Sequence, residues 1–94
     1  ISGITAGKVG DRLRLIGKSR QVICITHLPQ IAATADHHFL IRKKAEGTSV
    51  RTDVEMLDEA ASVEELARLL GGANVTERVM ESAKELKELA KCER

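Results

Sequence analysis

Hydrophobic positions change their spacing several times along this chain. Between Ile4 and Ile16 they recur at near-helical intervals, as Ile4, Val9, Leu13 and Ile16, while Lys8, Asp11, Arg12 and Arg14 lie mostly elsewhere. That spacing predicts a helix within residues 1–18, capped by Ser2 or Thr5. Gly3, Gly7 and Gly10 weaken its first turns, so close approach to a ligand or a partner is the expected reason for them. Val22-Ile23-Cys24-Ile25 is then a continuous apolar run between Gln21 and Thr26. A short run without alternation predicts a strand buried on both faces, as in a parallel α/β sheet. Pro29, the single proline, disfavours helix at Leu28 and suits the first position of a short helix over 29–34.

Alternation follows. Residues 37–44 read as a strand, 45–48 as a turn, and Val50, Thr52, Val54 and Met56 alternate with Arg51, Asp53 and Glu55. This is the pattern of a hairpin with one apolar face, which is expected to pack beneath helices. Two helices close the chain. Ser62-Val63-Glu64-Glu65 has the form of a capping box, Val63, Leu66, Ala67 and Leu70 form a buried stripe, and Gly71-Gly72 is the expected stop. Asn74-Val75-Thr76-Glu77 offers a second box before the stripe Val75, Val79, Ala83, Leu86 and Ala90. Lys84, Lys87 and Lys91 read as the polar side of that last helix, with Glu81–Lys84 and Lys84–Glu88 as supporting pairs.

Composition narrows the class. The 94 residues include one aromatic, Phe39, so any core is aliphatic. No apolar run approaches the ~20 residues of a membrane helix, and no signal-peptide pattern opens the chain. Cys24, in the expected buried strand, and Cys92, near the tail, are not expected to pair, which suggests a reduced, cytoplasmic protein. The net charge of +1 hides a basic first half and an acidic second half. The basic half is either a surface for phosphate, nucleic acid or an acidic partner, or a solvated face. It has no interleaved aromatics for stacking on bases, which argues against a single-strand reader.

The chemistry concentrates around His27. It falls just past the C-terminal end of the expected strand, the edge where open α/β sheets bind ligands. A histidine there is either a hydrogen-bond donor to an anion such as phosphate or a solvated loop residue. Gly3 to Val9 fails as a P-loop. It has three residues between its glycines where the motif has four, and a valine after the lysine. Cys24, His27, His37 and His38 fit no common zinc spacing, and His37 and His38 point to opposite faces of a strand, so no metal site is expected.

Cys24-Ile25-Thr26-His27-Leu28-Pro29-Gln30-Ile31-Ala32-Ala33, with Ala35-Asp36-His37-His38-Phe39 after it, resembles the C-terminal end of the RecN family. The likeness includes Ile1-Ser2-Gly3, Val63 to Gly72, and Val75-Thr76-Glu77. It covers nearly the whole chain, most loosely in Lys43 to Glu59 and the last ten residues. RecN proteins are bacterial double-strand-break repair ATPases related to SMC proteins and the wider ABC ATPases. The resemblance implies an α/β fold, the C-terminal part of a P-loop NTPase head of ABC/SMC type. It implies one fragment over 1–94: D-loop remnant, helix, strand and H-loop in 1–35, a hairpin in 36–58, closing helices in 59–94.

In that family the residue matching His27 is the switch, or H-loop, histidine, which contacts the γ-phosphate. Ser2 and Gly3 match the end of the D-loop, and Thr26 and Gln30 flank the histidine as nucleotide-binding candidates. The complete protein would use ATP and Mg²⁺. Its implied partners are the remainder of the head, a second copy through ATP-bound heads, and DNA. Its implied location is the bacterial cytoplasm, at the nucleoid. The chain carries no P-loop, no acidic pair before Ile1 and no ABC signature, so alone it is expected to be inactive. The alternative is a stand-alone α/β interaction or nucleic-acid-binding module without ATPase activity.

Overall fold

The computed structural model describes residues 2–92, the side chain of Cys92 excepted. Ile1, the first residue of the D-loop-like tripeptide, lies outside them, as does the Cys92 thiol. The fold is α/β. Its elements run α1 (Gly3–Gly17), α2 (Pro29–Ala32), β1 (His38–Glu46), β2 (Ser49–Leu57), α3 (Glu59–Gly71) and α4 (Glu77–Cys92).

Ser2 caps α1 by accepting from the Thr5 amide at 3.1 Å. The face of α1 that packs is not the expected set of large apolar residues. Ala6 and Gly10 are buried, whereas Ile4 is 77% exposed. The helix instead meets α2 through its small residues. A Cβ on Gly10 would lie 3.0 Å from Thr34 Cγ2 and 3.2 Å from the Gln30 carbonyl oxygen. That close approach explains why a poor helix former stands there. At the far end of the helix, Arg14 Nη1 donates to the Ala90 carbonyl at 3.2 Å, which ties α1 to α4.

The strand expected over 21–26 does not form. Residues 21–28 have no regular structure. Ile23 and Ile25 are 84% and 83% exposed, and Cys24 is an exposed free thiol. The reason is pairing. An isolated strand leaves its amides without partners and its side chains in water. The sheet among the described residues has two strands, β1 and β2, and neither runs beside this segment.

The hairpin forms in antiparallel register, from His38 opposite Leu57 to Glu46 opposite Ser49. Its two-residue loop puts Gly47 at φ +60, as a type II′ turn requires at its first central position. Phe39, Ile41, Val50, Val54 and Met56 share one face, as alternation dictates, but all are exposed. The expectation that this apolar row packs beneath helices is therefore overturned. The contact with α3 comes from the other face, where Leu40 and Leu57 are half-buried at the hairpin's base. Farther out, that same face carries the exposed ion pairs Arg42–Glu55 at 3.7 Å and Lys44–Asp53 at 4.0 Å.

Helix α3 begins earlier than the Ser62 box. Asp58 caps it, accepting from the Ala61 amide at 2.8 Å, and Ser62 is buried within the helix at 3% exposure. The hairpin ends at Leu57, so Asp58 is the first residue able to cap, and its carboxylate suits a helix N-terminus. The second box also shifts: Thr76 Oγ1, not Asn74, accepts from the Val79 amide, at 3.3 Å. The stop of α3 falls as expected, with Gly72 at φ 63 and its amide bonded to the Arg68 carbonyl at 2.8 Å.

The core lies between α3, α4 and the end of α2. It consists of Ala33, Val63, Leu66, Ala67, Ala83 and Ala90, flanked by Ala32, Val79, Met80 and Leu86. Leu66 is the one large side chain fully buried among the described residues. Small residues let the helices approach closely: a Cβ on Gly71 would lie 3.0 Å from Val79 Cγ1. Lys87, expected on the polar side, is 8% exposed. It sits on the stripe of Ala83 and Ala90, so its stem packs inward while Nζ reaches Glu59 Oε2 at 2.7 Å.

This core leaves much surface uncovered. The chain exposes 7084 Å², whereas a compact monomer of 10.3 kDa exposes about 5,400 Å². Its radius of gyration is 14.3 Å, against about 12 Å for a compact domain of this length.

Candidate functional site

The site is built around α2. A four-residue helix has almost no stability of its own, so its direction is set by what holds it. At its entrance Thr26 Oγ1 accepts from the Leu28 amide at 3.0 Å, closing a local turn around His27. Pro29 fills the first helical position and is buried, as is Ile31. Behind α2, Gly3 and Gly10 of α1 lie against Gln30 and Thr34. At its exit, His38 Nε2 donates to the Ala32 carbonyl at 2.6 Å.

Two of the residues singled out in the sequence are brought together. A Cβ on Gly3 would stand 3.3 Å from Gln30 Nε2, so the start of α1 and the first turn of α2 form one corner. Ser2 joins that corner by sequence, with its hydroxyl engaged by Thr5: it accepts from the amide and donates to Thr5 Oγ1 at 3.0 Å. Thr26 is occupied in shaping the turn. His27 is exposed between them. An exposed imidazole on a turn closed by Thr26 and followed by buried Pro29 is accessible to a ligand arriving from outside.

Two open clefts adjoin this frame. One of about 290 Å³ lies between α2, α3 and α4, lined by Gln30, Leu70, Ser82, Glu85, Leu86 and Leu89. The other, about 280 Å³, separates the hairpin base from α3. His27 lines neither. Among the described residues no three His, Cys, Asp or Glu side chains gather to hold a metal ion. No helix among them is long and apolar enough to cross a membrane.

Three polar residues near the site are not assigned to it from the sequence: His38 is weighed there only as a metal ligand and expected to be dispensable for hydrolysis, Lys87 is placed on the polar side of α4, and Glu59 is not singled out. His38 is half-buried, and its pKa is lowered, chiefly by burial and further by the nearby Lys87 ammonium. Glu59 and Glu65 of α3 act on it in the opposite sense, as does its bond to Ala32. Glu59 is held below the usual carboxylate range, first by its hydrogen bond from Lys87, with Lys91 adding at 3.4 Å. Lys87 was legible in the spacing, since it falls four residues after Ala83 and three before Ala90. The role of His38 depends on a turn between α2 and β1 that the hydrophobic pattern does not encode.

With this geometry in view, the relatives of the chain give it a class. No family model matches it. It is 45% identical over 86 residues, 92% of its length, to a DNA repair protein RecN of Vibrio cholerae. It is 46% identical over 90 residues to RecN of Halalkalibacterium halodurans, and 38% identical over all 94 residues to RecN of Streptomyces coelicolor. The chain spans 16% of the length of each of these relatives. Its kin are thus DNA repair proteins several times its length. The chain belongs to the RecN family and corresponds to a C-terminal part of those proteins.

Proposed function

We infer that this chain is the part of a RecN-type DNA repair ATPase that brings a switch histidine, His27, to the γ-phosphate of ATP. The observation that carries this reading is the match to RecN proteins over 92–100% of the chain, with His27 exposed on a turn closed by the Thr26–Leu28 hydrogen bond. On this reading the rest of the ATPase head, a P-loop NTPase of SMC-like type, supplies the phosphate-binding loop. A neighbouring strand from the head pairs with residues 21–26, which explains why Ile23 and Ile25 have no cover here. The same head covers the apolar face of the hairpin. Two ATP-bound heads then associate, and the complete protein acts on DNA at double-strand breaks in the bacterial cytoplasm.

The chain's own residues have limited roles. His27 donates a hydrogen bond from a neutral imidazole to a phosphate oxygen, or orients the attacking water, where charge develops in the transition state. Gln30, Ser2 and Gly3 form the corner beside it, and Thr26 sets the turn. Magnesium ligands are not assigned to this chain, because the described residues gather no carboxylate set to hold the ion.

The test is single-turnover hydrolysis and nucleotide binding by the full-length protein carrying His27→Ala. Removing one pre-positioned donor costs about 10²–10³ in rate. Affinity should change only a few-fold, since the phosphate-binding loop holds most of the charge. Hydrolysis at the wild-type rate would refute the assignment.

A further inference from the structure

We propose that His38 is a positioning residue for the His27 turn, acting through its hydrogen bond to the end of α2. This rests on the reading of His27 given above. Helix α2 begins two residues after His27 and has one turn. A single turn cannot fix its own direction, because helix nucleation fixes several residues for one hydrogen bond. Its entrance is set by Thr26 and Pro29, and one side by the α1 glycines. Its exit is set by His38, whose Nε2–H donates to the Ala32 carbonyl at 2.6 Å across a six-residue span.

That bond joins two parts of the molecule. The imidazole belongs to the first residue of β1. The carbonyl belongs to the last residue of α2. The charged groups acting on the ring are Glu59 and Glu65 of α3 and Lys87 of α4. Lys87 and Glu59 are themselves bonded at 2.7 Å. The start of the hairpin and the end of α2 are therefore joined through one ring nitrogen, with the charges of α3 and α4 nearby. His37, the neighbouring residue, is exposed, whereas His38 is half-buried and hydrogen-bonded.

What His38 contributes is a donor at a fixed point, and the test separates this from mere bulk. A glutamine amide nitrogen can occupy the place of an imidazole Nε2, whereas leucine fills the volume without a donor. Three full-length variants, His38→Gln, His38→Leu and His38→Ala, are compared with His27→Ala in single-turnover hydrolysis and nucleotide binding. Small misplacement of a reacting group by a remote change costs up to about 10²-fold in rate. The expected result is a loss of about 10-fold for leucine and alanine with nucleotide affinity unchanged, and glutamine within about 3-fold of wild type, on the same reasoning. If His27→Ala is slow while the leucine and alanine variants match wild type, the positioning role is wrong and the switch histidine stands. Glutamine as slow as leucine also overturns it. If His27→Ala itself is unimpaired, both readings fall.

Discussion

The fold lowers the pKa of His38. Burial is the leading cause of its lowered pKa, and the Lys87 ammonium adds to it. A base whose folded pKa lies below its unfolded value of about 6.5 binds fewer protons folded than unfolded in that window. Stability is then fully present above about 6.5 and falls as pH drops towards the folded pKa. The 94-residue chain should therefore lose urea resistance between pH 7.5 and 5.5, and His38→Gln should lose less across the same interval. Equal losses in the two proteins would remove His38 from the account. Glu59 titrates lower, since its bond from Lys87 holds the carboxyl down. The two groups thus act in separate pH ranges.

Among the elements, α1 carries the sharpest contrast. Gly7 and Gly10 are both helical, and each is a worse helix former than alanine by about 1 kcal/mol. A Cβ on Gly7 would meet nothing within 4 Å. Gly7→Ala should therefore stabilise the chain by up to about 1 kcal/mol. A Cβ on Gly10 would press on Thr34 Cγ2 at 3.0 Å and on the Gln30 backbone oxygen at 3.2 Å. The side chain can turn away, but the backbone of α2 must shift. Gly10→Ala should then be destabilising by about 1–3 kcal/mol, as overpacking typically is, and should displace α2. Urea unfolding of both variants checks the opposite signs. A stabilised Gly10→Ala would show that α1 and α2 are less closely docked than described.

For the whole molecule, surface area decides behaviour. The excess over a compact monomer is about 1,700 Å², about twice the ~800 Å² that each partner contributes to a standard protein–protein interface. Much of it is apolar: Ile23 and Ile25 on the irregular segment, and Phe39, Val50, Val54 and Met56 on the hairpin. Exposed apolar surface on this scale marks contact faces or an association hazard. The isolated 94-residue chain should self-associate as its concentration rises, and sedimentation velocity over a hundredfold range measures this. A constant monomer mass throughout would count against the uncovered faces. Charge substitutions at Ile23 and Ile25 should shift the association to higher concentration.

Much of the local structure follows from the sequence alone, because its causes are local. Ser2 as a cap, the two-residue turn at Gly47, the stop at Gly72 and the alternation along β1 and β2 each depend on residues a few positions apart. So does the face shared by Val79, Ala83, Leu86 and Ala90. Periodicity says which residues lie on one face, and it is silent on whether anything covers that face. The four apolar residues 22–25 have the pattern of a buried strand, yet among the described residues no strand pairs with them. The hairpin's apolar row is intact and uncovered for the same reason. On α1 the large residues marked one face, but docking chose the small one, since Gly3, Ala6 and Gly10 let α2 come close. The cap of α3 moved to Asp58 because the hairpin delivers the chain there. At the candidate site, the sequence singles out His27 as lying just past a buried strand, and the structure places it instead on an exposed turn before Leu28-Pro29. The bond from His38 to Ala32, and the burial of Lys87 against Glu59, exist only once α2, β1, α3 and α4 are folded together.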